Sequence, residues 1–189
     1  MRNIVFGSVL SLAVLLGGPA LAQQSRPAPM VLSTTAFADG GQIPLEFTQA
    51  GASTSPELKW TNVPAGTQSF VLHVHDLDVS RDKTTDDQLH WLVWNIPGRA
   101  TGLPADVPQG SPMSDGSLQL SASGPGYRGP GAPANGPMHH YTFELCALDT
   151  TLSLQPGADP FATRKAVIEA MQGHILGKAV YVGLFHRPQ

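Results

Sequence analysis

The sequence predicts a mainly β domain, built on an antiparallel sheet with one helix close to the C-terminal end. Short apolar runs recur along the chain, and each is bounded by glycine, proline, asparagine or aspartate. The 20 glycines and 17 prolines also suit short strands joined by structured turns. Only one capped helical pattern appears, so the chain does not alternate strand and helix as a parallel α/β protein does.

The N-terminal residues have the three-part pattern of a secretory signal peptide. Arg2 supplies the positive charge, Ile4 to Leu16 form an apolar run, and Ala20-Leu21-Ala22 is a cleavage site. The run is shorter than the ~20 apolar residues of a permanent membrane span, although an uncleaved anchor is the alternative. We therefore expect a periplasmic or secreted protein with a signal peptide over 1–22, a flexible leader over 23–29 and a single domain over 30–189.

Seven runs predict strands, and in chain order they are Met30–Phe37, Ile43–Thr48, Leu58–Thr61, Ser69–Asp76, Leu89–Ile96, Tyr141–Leu148 and Ala179–Phe185. A helix is expected to begin after Asp159, which can cap it, with Pro160 in its first turn, and to end near Gly173. The stretch from Gly98 to Met138 is rich in glycine, proline, serine and alanine and contains no predicted element. Because long irregular segments inside a compact domain are often functional, we expect a ligand loop there.

Charge, cysteine content and motifs exclude several classes of protein. The net charge of −3 comes with no basic stripe, so nucleic acid is not an expected partner. Cys146 is the only cysteine, so the chain has no internal disulfide, and its apolar surroundings predict a buried, inert thiol. Gly124-Pro-Gly-Tyr-Arg-Gly129 matches a dinucleotide-binding pattern, but no strand leads into it and no helix follows. No familiar nucleophile motif is present, so we expect no catalytic residues and no cofactor.

Side-chain alternation predicts a polar site where three strands end. Asp76 ends the core-facing row of its strand, and His139 and Tyr141 begin the row of another. His90 is predicted to share a row with Leu92 and Trp94. Two imidazoles can carry charge near pH ~6.5, and the loop before His139 can add backbone N–H donors, so the site suits an anionic headgroup. Each of these residues, taken alone, also fits an ordinary strand end.

A metal site is the alternative interpretation of the same residues. Asp76, Asp78, His90 and His139 are residue types that bind metals, but they lack a tight ligand spacing. His73 and His75 fall on the opposite face from Asp76 by alternation, so we expect surface or second-layer positions for them. We therefore assign no metal ligand, and a metal-dependent hydrolase using Asp76, His90 and His139 is the least favoured function.

Three separated blocks of sequence resemble the phosphatidylethanolamine-binding (Raf kinase inhibitor-like) family. They are Ser55-Pro-Glu-Leu-Lys-Trp60 with the following Val63-Pro-Ala-Gly-Thr67, then His90-Trp-Leu-Val-Trp-Asn-Ile-Pro97, and the segment from Gly129-Pro130 through His139-His-Tyr141 to Ala147-Leu-Asp149. The tail from Ala170 to Gly183 is similar to the closing helix and strand of bacterial members. The resemblance covers residues 33–186, nearly the whole expected domain.

The resemblance implies a large antiparallel sheet packed on a smaller one, with peripheral helices and a pocket for phosphate-type anions. Its pocket residues fall on Asp76, His90, Pro133, His139 and Tyr141. This chain departs from the family pattern at two places on the rim of the pocket. The segment Asp76-Leu-Asp78-Val-Ser80 lacks the family's prolines, and Ala132-Pro133 stands where the family has two consecutive prolines. The missing prolines predict a looser rim and put the selectivity for ligands in doubt.

Three functions follow from these patterns. The first is a non-enzymatic binding protein for a phosphate or phospholipid headgroup, which can also regulate a protein partner. The second is an inhibitor of a secreted or periplasmic hydrolase, since the resemblance includes inhibitors of proteases and kinases. The third is the metal-dependent hydrolase. The sequence leaves open the physiological ligand, the identity of a protein partner and whether the chain forms a homodimer.

Overall fold

The structure is a computed structural model and describes residues 28–189. The expected signal peptide over 1–22 and the leader residues up to 27 lie outside the described residues. The strands are, in chain order, β1 (Val31–Ser33), β2 (Gly41–Gln42), β3 (Leu58–Thr61), β4 (Ser69–Asp76), β5 (Gln88–Pro97), β6 (Gly102–Leu103), β7 (Leu118–Leu120), β8 (His139–Leu148) and β9 (Ile175–Phe185). One α-helix, α1 (Pro160–Ala170), lies between the last two strands.

The strands form two sheets. The smaller sheet has the order β1-β3-β6, and the larger has the order β2-β9-β8-β4-β5-β7. All pairs are antiparallel except β2 with β9. The predicted mainly β fold with two sheets and one C-terminal helix is therefore confirmed.

Two apolar cores hold the layers together. The first core lies between the two sheets and contains large buried side chains such as Trp60, Phe70 and Phe143. The second lies between the large sheet and α1, where Val71, Leu92 and Val167 are buried. The large sheet is therefore covered on both faces, and β4 and β8 alternate between the two cores.

The helix follows its sequence signals closely. The carboxylate of Asp159 accepts hydrogen bonds from the backbone N–H groups of Phe161 and Ala162, at 2.8 and 3.3 Å, and Pro160 occupies the first turn. The helix ends at Ala170, and β9 starts at Ile175, earlier than the predicted strand. Neither this helix nor the short 3-10 turn in the described part of the chain is long and apolar enough to cross a membrane.

Two local predictions are wrong. The run Ile43–Thr48 forms a 3-10 turn at Leu45–Phe47 instead of a strand. Pro44 has no N–H to donate to a neighbouring strand, and the residues after it form hydrogen bonds within the turn. The stretch from Gly98 to Met138 is not structureless, since it contains β6 and β7. These strands are only two and three residues long, too short to leave a periodic signal.

A bulge in β5 changes the face on which His90 lies. Val74 pairs with Trp91, whereas the next residue His75 pairs with Leu89, so His90 is an extra residue in the ladder. Trp91 belongs to the core between the sheets, while Leu92 and Trp94 belong to the core beneath α1. The predicted row of His90, Leu92 and Trp94 is therefore wrong, and His90 faces the same side as Asp76 because of the bulge.

Candidate functional site

A cavity of about 240 Å³ lies at the end of the large sheet where β4 finishes and β5 and β8 begin. All five residues expected in a binding site line it, and they are Asp76, His90, Pro133, His139 and Tyr141. The other lining residues are Gln49, Val79, Gln88, Arg128, Gly131, Ala132 and Arg187. The sheet supplies the floor of the cavity, and the segment from Arg128 to Pro133 supplies one wall.

Asp76 and His139 form a hydrogen-bonded pair on the floor. The distance between Nδ1 of His139 and Oδ2 of Asp76 is 2.8 Å, and the carboxylate of Asp76 is buried. The other oxygen, Oδ1, accepts the backbone N–H of Asp78 at 3.0 Å. Because a carboxylate can only accept, Nδ1 of His139 carries the proton and Nε2 is the nitrogen left for a ligand.

His90 is anchored to the wall of the cavity by two backbone carbonyls. Its Nδ1 lies 2.8 Å from the carbonyl oxygen of Arg128 and 3.1 Å from that of Gly129. Nδ1 therefore donates, and Nε2 is again the free nitrogen. Burial lowers the pKa of His90 below its ordinary value, although both carbonyls and the charge of Asp76 act in the opposite direction. The lowered pKa opposes a charge on His90 in the free protein, and the expectation that a bound anion favours its protonated form stays a prediction.

Tyr141 holds the loop that carries Pro133. Its hydroxyl oxygen accepts the backbone N–H groups of Gly131 and Ala132, at 3.2 and 3.0 Å. Burial and the nearby charge of Asp76 raise the pKa of Tyr141, so it stays a neutral phenol. The ring of His90 packs edge-on against that of Tyr141 with their centroids 5.0 Å apart. Pro133 follows this anchored segment and lies exposed at the rim.

Two arginines complete the lining, and the sequence interpretation did not include them. Arg128 lies inside the stretch from Gly98 to Met138, which the sequence predicts to be a ligand loop. Arg187 follows the last strand, and its backbone N–H donates to the carbonyl of Ala132 at 3.0 Å. The pairing of His139 with Phe185 brings this end of the chain to the cavity. That antiparallel pairing is a long-range contact with no local signature in the sequence.

The metal alternative finds less support at this cavity. Asp76, Asp78 and His139 each offer a ligand atom within 4.8 Å of the others, but His90 is not part of this group. Oδ2 of Asp78 already accepts the backbone N–H of His140 at 2.6 Å and bonds its Nδ1 at 3.0 Å. Partial burial acts to raise the pKa of Asp78, but these bonds outweigh it and lower the pKa. The carboxylates at this end of the sheet are thus engaged within the protein.

The fold and the cavity define a class of protein: a two-sheet β domain with a small polar cavity at one end of its larger sheet. A family model described as phosphatidylethanolamine-binding protein matches residues 33–186. The chain belongs to this family. Membership suggests a binding protein rather than an enzyme.

Relatives and a solved structure agree with this assignment. A UPF0098 protein of Methanothermobacter thermautotrophicus is 43% identical over 160 residues, which cover 84% of this chain and 99% of the relative. LppC of Mycobacterium tuberculosis, named a candidate lipoprotein, is 34% identical over 83% of this chain and 72% of its own. The structure of a candidate phosphatidylethanolamine-binding protein homologue from Chlamydia trachomatis superposes with a TM-score of 0.71 at 30% identity, over 84% of this chain and 98% of the other.

Proposed function

We propose that the cavity binds a small phosphate-type anion, either free or as the headgroup of a phospholipid. The observation that carries this proposal is the balance of charge around the cavity. Two arginines, Arg128 and Arg187, line it together with His139. The guanidinium of Arg187 already donates to the carbonyl oxygen of Gly131 and to the side-chain oxygen of Gln49, which holds it at the cavity and leaves some of its N–H groups for a ligand.

The one carboxylate among the described lining residues, Asp76, already accepts hydrogen bonds on both of its oxygens. The only carboxylate of the described lining is therefore already engaged, and the arginines supply donors that suit phosphate oxygens well. Nε2 of each histidine donates to the anion only when that imidazole is protonated.

The size of the cavity favours a headgroup over a whole lipid. A volume of about 240 Å³ is below the range of roughly 300–1,000 Å³ that holds a drug-sized ligand. A phosphate with a short substituent fits this volume, whereas acyl chains must stay outside it. Pro133 and Val79 at the rim supply apolar surface where such a substituent leaves the cavity.

Calorimetric titration with O-phosphoethanolamine and with sulfate tests this function. The matched pair of variants is Arg128→Gln, in the cavity lining, and Arg99→Gln, which removes the same charge from an exposed position. We expect Arg128→Gln to lose about 1.5–3 kcal/mol of binding free energy, the scale of a hydrogen bond to a charged group. Arg99→Gln should bind like the unaltered protein. Equal losses of binding free energy in both variants would show that net charge, and not a contact in the cavity, causes the effect. The absence of saturable binding would refute the proposal.

We further propose that the protein acts in the cell envelope. The signal-peptide pattern over 1–22 supports this, as does the name of the mycobacterial relative. Mass spectrometry of the exported protein should find Gln23 at the N-terminus. Exported, lipid-free protein that retains Met1 would contradict the cleavage.

A further inference from the structure

The loop that leads from the wall of the anion cavity into β8 contains an asparagine followed by a glycine. The asparagines of the chain are Asn3, Asn62, Asn95 and Asn135. Only Asn135 precedes a glycine, Gly136, and its side chain is exposed where the chain turns. Pro133, which precedes the pair, and His139, which follows it, both line the cavity. The pair therefore lies between two residues of the cavity lining.

This loop is anchored on both sides of the pair but only weakly at the pair itself. The hydroxyl of Tyr141 holds the backbone before Pro133, and β8 begins directly after Met138. Between these anchors, the only backbone hydrogen bond in the described part of the chain runs from the N–H of Gly136 to the carbonyl of Pro133, and it is long at 3.4 Å. The backbone around Asn135 can therefore rearrange at a lower cost than that of the neighbouring strand.

An exposed asparagine before a glycine has a reactivity of its own. The backbone nitrogen of Gly136, after losing its proton, can form a bond to Cγ of Asn135, while the bond from Cγ to the amide nitrogen breaks and ammonia leaves. Water then opens the resulting five-membered succinimide at either carbonyl, and the product is an aspartate or an isoaspartate. Water is the only co-reactant. Glycine favours the attack because it has no Cβ beside the nitrogen.

We propose that Asn135 is a deamidation site, and that its conversion to a carboxylate lowers the affinity of the neighbouring cavity for anions. The effect on affinity rests on the proposed anion binding, whereas the reaction itself does not. The new carboxyl group is ionised at neutral pH. Two residues of chain span at most about 7 Å, so the new charge lies close to Pro133 on the cavity wall. The isoaspartate product also adds a methylene group to the backbone of this loop.

The size of the effect follows from Coulomb repulsion. At a separation of about 10 Å in water, one added negative charge weakens the binding of a singly charged anion by about twofold and that of a doubly charged anion by about fourfold. Salt screens this repulsion, so the difference should be greatest at low ionic strength. Deamidation therefore reduces anion binding without abolishing it.

Peptide mapping by mass spectrometry, after incubation of the folded protein in warm, mildly alkaline buffer, tests the reaction. The mass increase of an amide converted to an acid should accumulate at Asn135, with isoaspartate as one product, while Asn62 and Asn95 stay intact. Gly136→Ala is the matched variant, because a Cβ there lies 3.7 Å from its nearest neighbour and the φ of Gly136 is not in the left-handed region. It should slow the conversion strongly. An intact Asn135, or an equal rate in Gly136→Ala, would overturn the proposal.

Two further variants separate the effect on binding from the reaction. Asn135→Asp carries the product charge from the start, and Asn135→Gln keeps a neutral amide at the same position. In calorimetric titration with sulfate at low ionic strength, Asn135→Asp should bind about two- to fourfold less tightly than the unaltered protein, and Asn135→Gln should bind like it. Equal affinities of Asn135→Asp and Asn135→Gln would overturn the regulation. The absence of sulfate binding in the unaltered protein would instead refute the proposed function and the regulation with it, while peptide mapping still decides the deamidation.

Discussion

Nδ1 of His139 lies 2.8 Å from Oδ2 of Asp76, and this hydrogen bond joins two residues that are 63 positions apart in the chain. In the ladder of β4 and β8, Asp76 pairs with Tyr141, so His139 lies one pleat further along the same face. The contact therefore depends on the register of two central strands and not on a flexible loop. It turns Nε2 of His139 away from the carboxylate and leaves that nitrogen for the cavity.

The first prediction concerns the tautomer of His139. Nitrogen-15 spectra at a pH where the imidazole is neutral should show the proton on Nδ1, because Asp76 can only accept there. In Asp76→Asn the amide can accept or donate, so the preference for Nδ1 should weaken. An unchanged tautomer in Asp76→Asn, or a proton on Nε2 in the unaltered protein, would contradict this role of Asp76.

The second prediction concerns the hydroxyl of Tyr141. Tyr141→Phe leaves the backbone N–H groups of Gly131 and Ala132 without their acceptor, and Tyr141 is buried. We expect the free energy of unfolding, measured by urea denaturation, to fall by about 1–3 kcal/mol. Anion affinity should fall as well, because this segment forms a wall of the cavity.

Tyr181→Phe is the control for this change. The hydroxyl of Tyr181 donates to the carbonyl of Phe37, away from the cavity. Its loss should reduce stability without changing anion affinity. If Tyr141→Phe keeps full stability and affinity, the anchoring of the loop by its hydroxyl is wrong.

The sequence predicted much of the site because its residues stand at the ends of long, regular strands. Asp76, His139 and Tyr141 follow strict alternation in β4 and β8, and the structure places all three at one cavity. Pro133 came from the family resemblance alone, since nothing in the local pattern marks it. The strands that were missed, β2, β6 and β7, are held by pairing with distant partners rather than by their own periodicity.

His90 lines the predicted cavity for a reason other than the one that led to its prediction. Alternation placed it with Leu92 and Trp94, but these two side chains belong to the other core. The bulge at His90 returns it to the cavity, and a bulge depends on how two strands pair rather than on the residues of one. Arg187 was missed for a similar reason, because its position follows from the pairing of β8 with β9.

The third prediction concerns Asn95, at a second irregularity of β5. Asn95 has a φ of 58°, and its side chain bonds both the N–H and the carbonyl of Leu152, at 2.8 and 2.9 Å. Asn95→Gly and Asn95→Ala lose the same bonds, but only alanine is strained at this φ. Asn95→Ala should therefore be less stable than Asn95→Gly by about 1 kcal/mol in urea denaturation. Equal stabilities would show that the left-handed backbone is not retained.

The fourth prediction is a loss of stability as the pH falls. Burial lowers the pKa of both His73 and His90 in the folded protein, below the value of 6.5 that applies to an exposed imidazole. The unfolded chain therefore binds more protons below about pH 6.5, and the free energy of unfolding should fall between pH 7 and pH 5.

Urea denaturation in a chelating buffer measures this pH dependence. His73→Gln should flatten it, because one of the two imidazoles with a lowered pKa is gone. His174→Gln, at an exposed position, should keep the full slope. Stability that is flat or rises as the pH falls from 7 to 5 would contradict the burial of these imidazoles as neutral groups.

The central claim is that the cavity formed by Asp76, His90, Pro133, His139 and Tyr141 binds a phosphate-type anion. Long-range proton–nitrogen spectra resolve the seven histidines of the chain during a titration with O-phosphoethanolamine at fixed pH. The account predicts saturable shifts of the imidazole nitrogens of His90 and His139, while those of His73 and His174 stay in place. No saturable shift at His90 and His139, or larger shifts at His73 or His174, would contradict it.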